Sequence, residues 1–129
     1  MGEEVVSLAL PWPPSVNTIW RKFQGRMVLS QAGRDYRDAV RGVVLSTILW
    51  PRVRLSGRLA VDLKLHPPDA RRRDVDNVLK ALLDALTHAG VWSDDSQVKR
   101  LSVEMCDEFR IQGGRVFARI FPALRNSGP

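Results

Sequence analysis

The stretch Gly57–Gly90, GRLAVDLKLHPPDARRRDVDNVLKALLDALTHAG, changes its apolar period partway along. Leu59, Val61, Leu63 and Leu65 alternate with Arg58, Asp62 and Lys64, the two-residue period of a half-buried strand. Pro67-Pro68 stops that strand, because proline offers no N–H to a ladder. From about Val75 to Ala89 the period becomes helical, with Leu79, Leu82, Leu83 and Leu86 facing a core. Gly90 then stands where a left-handed C-terminal cap belongs. A strand, a basic loop and an amphipathic helix follow one another, the opening of an α/β unit.

Outward from this unit the chain reads in the same terms. Val5–Leu10 is short, apolar and β-prone, and Pro11-Trp12-Pro13-Pro14 stops it and runs extended. Ser15–Met27 reads as a polar, basic loop. Ser30 caps a helix running to about Trp50 and ended by Pro51, with Gly33 weakening its start. Tyr36, Val40, Val43, Val44 and Ile48 share one face of it, where Tyr36 has a packing role. Arg34, Arg37, Asp38 and Arg41 take the other face. Ser93–Ser96 is a turn. Val98–Cys106 and Arg115–Phe121 are strands, expected to pair as a hairpin across Gly113-Gly114. The order β-α-β-α-β-β predicts an α/β (α+β) protein, a mixed sheet with helices packed on it. At 129 residues one domain is expected over 1–129, with its core at about 5–122 and a frayed ALRNSGP tail.

Composition narrows the function classes. A hydrophobic fraction of 44% and a charged fraction of 26% are those of an ordinary globular protein. No apolar run approaches the roughly 18 residues of a membrane span, and the acidic start MGEEVV lacks signal-peptide order. Val6 stands where a myristoylation motif wants Ser or Thr. One cysteine, Cys106, and two histidines, His66 and His88, exclude an internal disulfide and a Cys- or His-cluster metal site. The expectation is a cytoplasmic protein with no membrane contact and no organic cofactor. Net charge is +6, and its distribution says more than its sum. Residues 21–73 hold 13 Lys/Arg against 4 Asp/Glu, whereas residues 74–95 hold five aspartates against Lys80 alone. An excess of cations suits a phosphate backbone. An acidic island inside it points to a nuclease.

Asp74 and Asp76 are two residues apart. In extended backbone they point the same way, with Cα atoms about 6–7 Å apart and Val75 turned to the apolar side. Carboxylates that close repel unless a proton or a cation lies between them. A hard divalent cation such as Mg²⁺ takes one or two carboxylates together with phosphate and water. Such an ion between the aspartates and a phosphate reconciles the acidic pair with the arginines. Asp94 and Asp95 return to the same place from the turn after the helix. Each feature also has a plain structural reading: Asp76 as a helix N-cap, Asp94-Asp95 as a turn pair, and Lys80 paired with Asp76 or Asp84 four residues away. Two rival functions stand beside the nuclease. An aspartyl phosphatase would want its D-x-D at the end of a buried strand, and the polar PPDARRR argues against that. A non-catalytic basic nucleic-acid-binding module explains the arginines and leaves the aspartates without a purpose.

The run RRRDVDNVLKALLDALTHAGVWSDDSQV resembles the core of the RusA family of Holliday-junction endonucleases, common in phages and prophages. LPWPPSVNTIW and LSQAGRDYRDAV extend the likeness to roughly residues 8–121. The resemblance implies that Asp74, Asp76 and Asp95 are metal-holding catalytic aspartates and Lys80 the catalytic lysine, leaving the role of Asp94 open. It implies a homodimer that binds four-way, branched DNA and cuts two strands symmetrically with Mg²⁺ or Mn²⁺. Arg71, Arg72 and Arg73 are then the DNA-binding candidates beside the cut, and Arg37 with its helical neighbours a candidate for the junction arms.

Overall fold

The computed structural model describes residues 5–47 and 54–128. Six strands and three helices follow in order: β1 (Val6–Leu10), α1 (Val16–Ile19), β2 (Trp20–Phe23), β3 (Arg26–Leu29), α2 (Gln31–Thr47), β4 (Leu59–His66), α3 (Val75–His88), β5 (Val98–Met105) and β6 (Arg115–Pro122). A 3₁₀ turn, Asp95–Gln97, precedes β5. Four strands form a mixed sheet in the order β1-β6-β4-β5, and β2 pairs with β3 in a separate ribbon.

The expected mixed sheet with helices on it is present, and two expectations about its parts need correction. Strands β5 and β6 do not pair as a hairpin. β5 runs parallel to β4 as the end of a β4–α3–β5 unit, and β6 lies between β1 and β4, antiparallel to both. Burial explains the order. Val116, Ala118 and Ile120 on β6 are wholly buried, as a central strand requires, whereas β5 carries Lys99, Arg100 and Glu104 on exposed positions. Charge on an edge discourages stray strand pairing. The supposed loop Ser15–Met27 holds a short helix and most of the β2–β3 ribbon. Gln24 and Gly25 both take positive φ, 49° and 76°, as the tight turn between those strands demands.

One hydrophobic cluster joins Leu8 and Leu10 of β1, Leu59, Val61, Leu63 and Leu65 of β4, and the buried faces of α2, α3 and β6. α2 packs on α3 and β1. Gly33, Tyr36, Val40 and Val44 are its buried residues, while Ile48, Trp50 and Pro51 lie outside the described residues. The Tyr36 hydroxyl donates to Pro11 O at 2.8 Å, tying α2 to the extended segment after β1, and burial raises its pKa. Ser30 caps α2 by accepting from Gly33 N at 3.1 Å. Gly33 does more than weaken the helix start: a Cβ there would lie 2.9 Å from Ile19 O and 2.8 Å from Leu29 Cδ1. Only glycine lets α2 approach this closely.

Candidate active site

The loop after β4 is fastened before it reaches the helix. Asp69 accepts from Arg71 N at 3.0 Å and lies 2.8 Å from Arg73 Nη2. The backbone hydrogen bond from Arg71, followed by its side chain, holds the Asp69 carboxyl down to about 2. Arg73 is only 16% exposed and its guanidinium lies 5.5 Å from the centre of the Trp12 ring. Arg71 is 3.3 Å from the same aspartate yet largely exposed, and Arg72 is exposed. The three arginines are therefore not equivalent. Arg73 anchors the loop, and Arg71 and Arg72 face solvent.

Asp74 occupies the N-cap of α3 with extended backbone, φ −86° and ψ 134°, and its side chain makes no capping hydrogen bond. Asp76 is already in the first helical turn. The strand geometry expected for the pair is thus replaced after one residue by helical rotation of about 100° per residue. Val75, expected on the apolar side, is instead 37% exposed.

Along α3, Asp76, Leu79, Lys80, Leu83, Asp84 and Thr87 line one side of an open cavity of about 420 Å³, and Asp95 lines the other. The chain returns to this flank through a sequence of local constraints. Gly90 takes φ 82°, Gly90 N donates to Thr87 O and Val91 N to Leu86 O, closing the helix in a Schellman arrangement. Val91 and Trp92 are then buried, with Trp92 Nε1 donating to Thr87 Oγ1 at 2.6 Å. Asp94 accepts from Ser96 N at 3.0 Å in a capping box with Gln97, whose amide also donates to Leu55 O and Gly57 O. That first hydrogen bond holds the Asp94 carboxyl below its usual value. The paired aspartates divide: Asp94 caps the turn, and Asp95 lines the cavity.

Asp76, Asp95 and Lys80 therefore meet around one space, and Asp74 sits at the start of the same helix outside its lining. Among the described residues no three Asp, Glu, His or Cys side chains form a ready-made metal cluster. Asp84 lines the space too but is paired with Arg37, and the other two carboxylates, Asp76 and Asp95, still fit a hard ion, since Mg²⁺ completes its shell with water and phosphate. The ion pairs of Lys80 with Asp76 or Asp84, the plain structural alternative for this lysine, do not form within 4.0 Å among the described residues. Asp84 is held instead by Arg37, through Nε at 2.9 Å and Nη2 at 3.0 Å. Arg37, expected on DNA, is thus engaged in joining α2 to α3. Sequence reading also missed a second cavity of about 370 Å³, across Lys80 from the first, with Trp20 among its lining residues. Neither Trp20–Phe23 nor Arg26–Leu29 alternates, so Gly25 between two short runs is the one turn signal there.

Carboxylates and Lys80 around one cavity, with a basic loop leading into α3 on a mixed α+β sheet, suit a phosphate ester held through a cation. Residues 11–120 match the family model "Endodeoxyribonuclease RusA". The crossover junction endodeoxyribonuclease RusA of Escherichia coli (strain K12) is 45% identical over 92 residues, covering 71% of this chain and 75% of the relative. The protein of the same description from Enterobacteria phage HK97 is 37% identical over 113 residues, 86% of this chain and 89% of the relative. This chain belongs to the RusA endodeoxyribonuclease family.

Proposed function

We propose that this chain is a crossover junction endodeoxyribonuclease, a nuclease that resolves four-way DNA junctions by symmetric hydrolysis of two phosphodiesters in DNA recombination and repair. The observation that carries the reading is the meeting of Asp76, Asp95 and Lys80 around one open cavity, in a chain whose relatives are named for that activity. Residues 1–129 act as one endonuclease domain with its core at about 5–122.

A divalent cation belongs to the family's chemistry, and Mg²⁺, with Mn²⁺ able to replace it, suits the all-carboxylate donors best. Asp76 and Asp95 would hold it, with Asp74 contributing from the head of α3, where its carboxylate is not used as a cap. Bound there, Mg²⁺ supplies Lewis acidity at a phosphoryl oxygen and a water of lowered pKa. Lys80 places a compact positive charge where negative charge grows on the phosphoryl oxygens as water adds and the P–O bond breaks. Arg71 and Arg72 hold backbone phosphates next to that bond. Arg73 sets the shape of their loop while adding its own charge beside them. Arg37 fixes α2 against α3 through Asp84.

Two symmetric cuts need two such cavities, so the working form is a homodimer whose two-fold axis matches that of the junction. The side of the sheet away from α2 and α3 is the surface offered to the second copy. It carries Phe117, 43% exposed, among the ion pairs Lys64–Glu104 and Asp62–Arg119, with β5 along its edge.

Metal titration of cutting on plasmid and on four-way junction DNA tests the reading. Paired cuts on the junction that need Mg²⁺ or Mn²⁺, with plasmid left largely intact, are expected. Tight junction binding without cutting at any metal concentration would instead favour the non-catalytic DNA-binding module.

A further inference from the structure

The second cavity touches the first. Lys80 and Asp84 line both, so whatever lies at Lys80 from one side borders a slot of about 370 Å³ on the other. The inner wall of that slot is apolar, formed by Ile19, Leu29 and Ala81. Its rim carries Trp20, 39% exposed although it is a large aromatic residue at the foot of a strand. The Arg37–Asp84 pair forms another part of the wall, and its bidentate contact leaves guanidinium N–H groups and carboxylate lone pairs for another partner. Trp20 and Leu29 are the paired ends of the β2–β3 ribbon, which carries Arg21, Lys22 and Arg26 and no acidic residue. Arg21 lies 5.2 Å from the centre of the exposed Phe23 ring on the same ribbon.

Each part answers to one piece of a nucleotide. An apolar wall and an indole suit the faces of a ring system, since base–aromatic stacking is sequence-tolerant and strong. A charge pair that both donates and accepts suits the ring's polar edge. The cations on the ribbon and at Lys80 suit the flanking phosphates. The volume lies at the low end for small-molecule sites, which matches one base rather than a base pair.

We infer that this slot receives a single nucleobase unstacked from the bound junction. Its ring lies against Trp20, its edge meets Arg37 and Asp84, and its adjoining phosphate is set at Lys80. The inference rests on the nuclease reading and adds to it the element that fixes which phosphodiester is cut. Nucleotides at a branch point have lost part of their stacking, so they enter such a slot more readily than those of continuous duplex.

The test couples Trp20 to one base. Dissociation constants are measured without metal, so that nothing is cut, for the wild type, Trp20→Leu and Trp20→Phe. The DNA panel is an intact four-way junction and junctions that each carry one abasic nucleotide near the branch. Trp20→Leu keeps apolar bulk without a stacking face, and Trp20→Phe keeps the face. Trp20→Leu is expected to weaken binding to the intact junction about tenfold and Trp20→Phe less than threefold. At one abasic position the wild type and Trp20→Leu should bind alike. A loss of affinity equal at every position, or no loss at all, overturns the inference while wild-type junction cutting leaves the nuclease reading standing. A wild type that neither binds nor cuts junctions overturns both.

Discussion

Asp94 and Asp95 are adjacent in the chain and separate in use, because Asp94 accepts the Ser96 N–H while Asp95 lines the cavity with Asp76 and Lys80. Asp94→Ala is expected to cost about 1 kcal/mol of stability, the usual worth of a cap, and to leave the cutting rate of the folded protein near wild type. Asp95→Asn should melt like wild type and cut on the order of 100-fold more slowly, about 2.7 kcal/mol in barrier. Thermal melts and single-turnover cutting of a junction measure both, and an inert Asp94→Ala beside an active Asp95→Asn would reverse the assignment. Lys80→Arg replaces a compact ammonium with a longer planar fork. A drop of about tenfold, near 1.4 kcal/mol in barrier, is expected if the lysine meets the reacting phosphate. Full activity in single-turnover assays would reduce it to a general positive charge. Asp74, Asp76, Lys80 and Asp95 stand out in the sequence because a carboxylate pair, a lysine one turn later and a second acidic pair come in order. The capping of Asp94 and the Arg37–Asp84 bridge were not legible there. One depends on which oxygen a turn consumes, and the other joins residues 47 positions apart.

At the scale of elements, the loop between β4 and α3 owes its shape to one carboxylate shared by two arginines. Asp69 has its pKa depressed to about 2, so its stabilisation is complete above the unfolded-state value near 4 and is lost as pH falls towards 2. The melting-temperature difference between wild type and Asp69→Asn should therefore be widest above pH 4 and close towards pH 2. A difference constant across that range would mean the loop is held by something other than the Asp69 charge. Strand β4 and helix α3 were readable because each carries its period in its own residues, and Gly90 marked the helix end as expected. The β2–β3 ribbon was not, because its strands bury no full face and their polar residues look like a loop. The true partners of β5 and β6 are hidden in the sequence for a different reason. Nearness in sequence favours a hairpin, whereas the buried residues of β6 need a neighbour on each side, and β1 and β4 supply them. Gly33 likewise reads as a flaw in a helix until Ile19 is seen against it.

At the scale of the molecule, a net charge of +6 surrounds a local island of aspartates, so DNA is attracted broadly and a cation eases the approach of phosphate to the island. α2 and α3 cover one side of the sheet and carry the site, and the sheet's other side holds the surface proposed for the second copy. The central claim is that the cavity lined by Asp76, Asp95 and Lys80 is where the phosphodiester is cut. It is tested most directly by measuring junction affinity and paired cutting together for Asp76→Asn. Removing one negative charge from a surface that faces phosphate should leave binding unchanged or tighter, while cutting in Mg²⁺ falls at least about 100-fold. Cutting that persists at the wild-type rate, or affinity that falls in step with activity, would contradict the claim.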